Sequence, residues 1–376
     1  MGSRWSATTK RVVVALFVLA ALYVVVRAGD IVRPFVWAAI VGYILLPLVG
    51  VLERRLPRTA AALIVFVGLL AVVIGGGRVV VPLALDQLRD LQRTLPSLIR
   101  NAQATLVEVA TQLGIEDVDD VIASVAGLNE VSVMIARGAV PLVLGIGHFL
   151  LELLIFFIAT FFMLRDAPRL LGLLRRTVPA SQRGELMPLL ADVNALLGRY
   201  VRGQVFLIFV MWTATFIGLS VLQVPFAFLL GLVTGVLEVI PIVGPITAGA
   251  IACLVALGHP APWGLSQLAY VGVVAIMYTV LRHAEDYFVI PFVIGRIVKL
   301  HPAVVIFSLL TGGALFGLLG VIVAVPVAAT IRLVLIYVGA KLRDEDPYRQ
   351  LEKDLAAAQS EPHAPATRAV GRRAHP

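Results

Sequence analysis

The chain has 376 residues, 60% hydrophobic and 14% charged, with a formal net charge of +8 and a mean hydropathy of +0.96. That is membrane composition and excludes a soluble globular domain. The basic residues lie in short loops between apolar spans, where they read as topology signals rather than a nucleic-acid surface. The lone Cys253 excludes a disulfide framework and a cysteine-based metal site, and reads as a small buried packing residue.

Taken in order, Lys10 and Arg11 precede an apolar run over residues 12–26. No small-residue cleavage site follows and a second apolar run begins at once, which predicts an uncleaved first helix rather than a signal peptide. Residues 31–51 form a second pass ending at Glu53, Arg54, Arg55 and Arg58, and residues 60–81 a third. Gly75, Gly76 and Gly77 near its far end read as close helix packing.

Residues 84–137 change character. Leu85, Leu88, Leu91, Leu98, Ile99, Ala102, Leu106 and Val109 recur near a 3.6-residue period, while Asp86, Arg89, Asp90, Arg93 and Arg100 take the other face. This predicts amphipathic helices outside the bilayer core, on the membrane surface or against a neighbouring subunit. Asp117, Asp119 and Asp120 form an acidic turn that lacks the glycine and closing glutamate of a calcium loop.

A fourth pass covers 140–164 and carries His148 and Glu152, four apart on one face; a proton relay is one reading of that pair. Arg165, Arg169, Arg175, Arg176 and Arg183 follow as a basic loop, and Leu186 to Tyr200 as an interfacial amphipathic helix feeding a fifth pass over 201–222.

The next stretch interrupts the pattern. Residues 231–257 are apolar enough for a bilayer, yet Glu238, Pro241, Gly244 and Pro245 break them in the middle. Lipid offers nothing to freed backbone groups, so such a break persists only against protein or a wet cavity. Two halves within this length are short for two passes of roughly 20 residues each. The expectation is a helical hairpin dipping into the membrane, its tip at 241–245 and Glu238 at membrane depth. Broken helices that carry a charge at depth point to a transport site. An unpaired carboxylate there is costly, so Glu238 is expected to be protonated for part of a cycle or paired with a cation.

A sixth span over 263–281 leads to a polar connector, 282–302, holding Arg282, His283, Glu285, Asp286, Arg296, Lys299 and His301. Arg282 and Asp286 are four apart, the spacing of a helical ion pair. Residues 303–338 read as two passes or as a second hairpin plus a helix, and Leu309-Leu310-Thr311-Gly312 echoes Leu232-Val233-Thr234-Gly235 of the first hairpin. Beyond Lys341 the chain is polar and rich in Pro and Ala, with a disordered end.

The expected organisation is therefore all-α: a polytopic integral membrane protein with about seven to eight spans, a Pro/Gly-broken hairpin and an extracytoplasmic amphipathic segment. It divides into three spans (1–83), the amphipathic segment (84–137), a fourth span with its interfacial helix (138–200), a core of broken hairpins (201–341) and a tail (342–376). The Lys/Arg count places both termini in the cytoplasm and residues 84–137 outside. An alkaline phosphatase fusion after Asp120 is expected to be active and one after Arg183 silent; the reverse pattern would overturn this orientation.

Three motifs then carry a resemblance. Residues 230–249, LGLVTGVLEVIPIVGPITAG, resemble the signature of the AI-2E family of bacterial transporters: a Leu-Gly stretch, Asn or Glu, then Ile-Pro-x-x-Gly-Pro. Asp286, Pro291, Gly295, Arg296, Val298, Leu300, His301 and Pro302 resemble the family's second motif, and Leu309 to Pro326, with Gly312, Gly313, Phe316, Gly317 and Gly320, its third. The likeness spans nearly the whole membrane portion in order, with 84–137 and the tail divergent. It implies a homo-oligomeric transporter of the bacterial inner membrane. The implied activity is export of a small polar solute such as autoinducer-2, or exchange of a cation for protons. The implied pathway residues are Glu238, Pro241, Gly244, Pro245, Asp286, Arg296, His301 and Gly312.

Competing classes fare less well. No His-Glu-x-x-His or Gly-x-Ser-Gly signature of an intramembrane protease is present, and no Walker motif, so no catalytic residue, cofactor or metal is expected and transport is not ATP-driven. A structural membrane protein would leave the interruption at Glu238 and the prolines unexplained.

Overall fold

The computed structural model describes residues 28–112, 146–178, 180–241, 243–289 and 300–346, together with Leu16, Ala20 and Tyr23. The rest of the first expected span, the acidic turn at Asp117 to Asp120, residues 290–299 of the connector with Arg296, and the tail beyond residue 346 lie outside the described residues.

The described residues are mostly helical and contain no strand. Eight helices follow in order: α1 (Gly29–Leu52), α2 (Arg58–Gln112), α3 (Ile146–Thr177), α4 (Arg183–Val221), α5 (Ala227–Leu237), α6 (Val243–Leu257), α7 (Gln267–Ala284) and α8 (Pro302–Leu342). Four of them, α1, α2, α4 and α8, are long and apolar enough to cross a membrane. Many large apolar side chains on their outer faces are exposed, among them Ile64, Val72, Phe209 and Leu310, as lipid-facing helices require.

α2 runs 55 residues without interruption through the boundary expected at residue 83, with Pro82 and Pro96 inside it. At 1.5 Å per residue it is about 80 Å long, far more than the ~30 Å hydrocarbon core, so its amphipathic half must project beyond the bilayer. That half folds against the protein itself. Leu98, Ile99 and Ala102 are buried, and Asn101 Nδ2 donates to the Gly258 carbonyl at 3.1 Å. Gln87 Oε1 accepts from the Leu229 backbone N–H at 2.9 Å, at the start of α5. Its charged residues include exposed intrahelical pairs such as Arg89–Asp86.

Two cores hold the bundle. Val49, Ala61, Ala62 and Leu164 join α1, α2 and α3, and small side chains let those helices approach closely. Arg58 donates to the carbonyls of Leu164 and Arg165, so a guanidinium ties the start of α2 to the middle of α3. The second core gathers Leu219, Val224, Ala227, Leu230, Ala252, Val255, Ala256, Tyr270 and Val274 around the base of the α5–α6 hairpin. Tyr270 is fully buried and its hydroxyl donates to the Leu222 carbonyl at 3.1 Å.

α8 is itself broken. Gly317 takes φ 61°, ψ −142°, a conformation open to glycine alone, and divides the helix into limbs at 302–316 and 318–342. The limbs fold back on each other: a Cβ at Gly320 would collide with the Gly312 carbonyl. The second limb is anchored to α4 by Lys341 Nζ–Glu185 Oε2 at 2.8 Å.

Candidate functional site

α5 has 11 residues and α6 has 15. At about 1.5 Å per residue they rise roughly 16 and 22 Å, each less than a ~30 Å hydrocarbon core. The turn between them satisfies its own backbone: Gly244 N–H donates to the Ile240 carbonyl at 2.9 Å and Val243 N–H to that of Pro241 at 2.8 Å.

Small residues seat the hairpin. Gly231 and Gly235, one turn apart on α5, face α4 so closely that a Cβ would lie 2.9 Å from the Trp212 carbonyl oxygen and 2.7 Å from that of Ile208. Backbone approach through a Gly-xxx-Gly face is the means by which apolar helices pack where the hydrophobic effect cannot act. Gly244 joins the two arms in the same way, since a Cβ there would fall on the Leu237 carbonyl. Gly312 has the matching place in the α8 hairpin.

Glu238 caps α5, and its side chain is 2% exposed. Its backbone carbonyl accepts from Gln204 Nε2 of α4 at 3.2 Å in a buried contact. Its carboxylate Oε1 lies 3.3 Å from Arg282 Nη1, at the end of α7. Arg282 is the hub: the same Nη1 reaches Glu285 Oε2 at 2.9 Å, and Nη2 reaches Asp286 Oδ1 at 2.9 Å. The Arg282–Asp286 pair expected from spacing is thus present, but it is the outer contact of a larger cluster. Glu285, whose side chain is 1% exposed, is the member that sequence reasoning did not single out. It is turned inward where α7 passes into a π-helical turn at Glu285–Val289, and such turns recur at functional sites.

One guanidinium therefore faces three carboxylates. If all were ionised the cluster would carry two uncompensated negative charges, two of its carboxylates being almost fully enclosed. The Glu238 and Glu285 carboxyl groups lie within hydrogen-bonding reach of each other. A hydrogen bond between two carboxyls requires a proton on one of them, and Glu238 Oε2 has no hydrogen-bond partner among the described residues. Arg282 occupies the point where the carboxylates converge, and among the described residues no group of acidic, His or Cys side chains is arranged to hold a metal ion.

A cavity of about 580 Å³ opens beside the cluster. Pro245 and Gly249 of α6, Thr234 of α5, and Tyr278, Arg282 and His283 of α7 line it, with Asp286. Thr234 and Tyr278 hydroxyls lie 3.0 Å apart and join α5 to α7 across its wall. Of the residues expected on a pathway, Pro245 and Asp286 line this cavity, Glu238 belongs to the cluster beside it, and Pro241 and Gly244 lie in the hairpin turn. His301 and Gly312 belong instead to the α8 hairpin and line a separate cavity.

The comparisons agree with this architecture. The family model described as AI-2E family transporter matches residues 12–338. The chain is 30% identical over 319 residues to "Putative transport protein YrrI" of Bacillus subtilis, covering 81% of this chain and 85% of that protein. It is 27% identical over 340 residues to "Putative transport protein YueF" of the same organism, covering 84% and 89%. To "Putative permease PerM" of Escherichia coli K12 it is 26% identical over 286 residues, covering 74% and 77%. The chain belongs to the AI-2E transporter family.

Proposed function

We propose that the protein is a proton-coupled secondary transporter of the bacterial inner membrane, both termini cytoplasmic, in which the Glu238–Glu285 pair carries the coupling proton. The observation that carries this reading is the single Arg282 guanidinium set against three carboxylates at the tip of a hairpin too short to cross. A group that must be neutralised in one state and released in another is the elementary requirement for coupling. The hairpin is re-entrant in this reading and adds no span; with both termini cytoplasmic the number of spans is even, which selects eight from the expected seven to eight. The cavity lined by Thr234, Pro245 and Tyr278 is the route of a small polar solute or cation. The negative excess around Arg282 favours a cation there, so exchange of a cation for a proton fits the cluster better than export of a neutral signal. Exposed apolar faces on α2 and α8 suit a homo-oligomer.

Purified protein in liposomes with an imposed pH gradient tests this. Glu238→Gln is expected to move solute with a flattened pH dependence, because Gln keeps the shape but cannot release a proton. Asp286→Asn, which keeps both buried carboxyls, is expected to slow transport across the whole pH range. An unchanged pH dependence in Glu238→Gln would remove the coupling role and leave a polar residue lining the route.

A further inference from the structure

The two limbs of α8 enclose a groove of about 890 Å³ whose lining differs in sign from the acidic cluster. Its walls are apolar, from Val304, Phe307, Val327 and Ile331 among others, and among the described residues no carboxylate lines it. Its charged lining residues are Arg332 and Arg343, joined by the polar His301, Ser308 and Thr311. Arg343 lies at one end and pairs outward with Glu345 at 3.3 Å. Arg332 is different. It stands eleven residues before Arg343, about 16 Å along the limb, and so well inside an apolar helix. Among the described residues it has no acidic partner, and it is only partly exposed.

An arginine at such depth is costly, and intramembrane charges face protein or water and mark ligand routes. Its planar fork of donors matches a carboxylate or phosphate in bidentate fashion. His301 supports the same polarity: its Nδ1 accepts from the Ala303 backbone N–H at 3.2 Å, which leaves Nε2 to carry a hydrogen toward the groove. Ser308 spends its hydroxyl hydrogen on the Val304 carbonyl at 2.6 Å, so the donors along the groove are those of Arg332, His301 and Thr311, with Arg343 at its end.

We infer that the α8 groove is a binding site for a small organic anion, whose charged head pairs with Arg332 and whose apolar body lies between the limbs. The site is separate from the carboxylate cluster, which contributes no residue to it. Binding is read without transport, so the inference stands or falls apart from the coupling role of Glu238.

The test uses a single cysteine at Thr311 in a Cys253→Ala background, with the protein in liposomes. A water-soluble maleimide is expected to label Thr311→Cys, and octanoate to slow that labelling in a saturable way, while octanol and octyltrimethylammonium at equal concentration do not. Arg332→Gln is expected to raise the half-protective octanoate concentration about tenfold or more, the loss of one charged hydrogen-bonding partner, with Arg332→Lys between the two. Equal thermal stability of Arg332→Gln and its parent shows that the fold is retained; if that variant is unstable, the discrimination of octanoate from octanol in the parent decides. Equal protection by octanol overturns the inference in favour of a plain apolar groove. Absence of labelling in the membrane overturns it in favour of a groove filled by lipid or by a second copy of the chain.

Discussion

Arg282→Met is expected to cut the level of folded protein in the membrane to about a tenth or less and to abolish transport. Removing one partner of a buried ionic cluster typically costs about 3–5 kcal/mol, against a total stability of roughly 5–15 kcal/mol. Here the guanidinium is shared by Glu238, Glu285 and Asp286, so its loss leaves two enclosed carboxyl groups facing each other with no cation between them. Methionine replaces the length of the side chain and none of the charge. If that is the cause, adding Glu238→Gln and Glu285→Gln to Arg282→Met restores the protein level without restoring transport. Thermal unfolding in detergent gives the measurement. An Arg282→Met protein as stable as its parent would show that the cluster contributes nothing to the fold and that the carboxyls are neutralised by other means.

The sequence carried part of this site and not the rest, for physical reasons. Pro241 and Pro245 in an apolar run marked the hairpin because a double break in lipid needs an explanation, and Glu238 stood out because charge at depth is rare. Arg282 with Asp286 followed from helical spacing. The contact between Arg282 and Glu238 bridges 44 positions and depends on how α5 and α7 pack, which no local period encodes. Glu285 was one charge among several in a polar connector. Only the π-helical turn, which resets the face each residue presents, shows that it points inward while Asp286 stays half exposed. The amphipathic half of α2 was readable as amphipathic, but its partner was not. A stripe containing Leu98, Ile99 and Ala102 fits a membrane surface or a second subunit as well as the hairpin base it meets. Gly317 was one glycine among several in the third motif, and its positive φ becomes visible only when the limbs of α8 are seen to fold back.

The other large effect is expected at Gly244. Read from the sequence, a leucine here fills a cavity at the hairpin tip and blocks transport while the protein remains in the membrane. The structure gives a different cause. Gly244 is buried where the arms cross and does not line the cavity beside the cluster. A Cβ on it would fall on the Leu237 carbonyl, a backbone atom of the facing arm one residue before Glu238. Backbone cannot swing aside as a side chain does, so even one methyl group must push the arms apart. Overpacking of this kind costs about 1–3 kcal/mol where some relaxation is possible and more where it is not. The two causes separate at alanine. If the tip only needed an open cavity, Gly244→Ala would retain most transport and Gly244→Leu would lose it. With the backbone clash as the cause, both variants lose transport by about tenfold or more and both lower the unfolding temperature. Gly249 is the internal control, since it lines the cavity and a Cβ there would meet only the Tyr278 ring at 3.4 Å. Gly249→Ala is expected to fold and transport nearly as the parent does, while Gly249→Leu blocks transport with little loss of stability. Gly244→Ala with the parent's transport rate and melting temperature would refute the clash and return the tip to a cavity that must be kept clear.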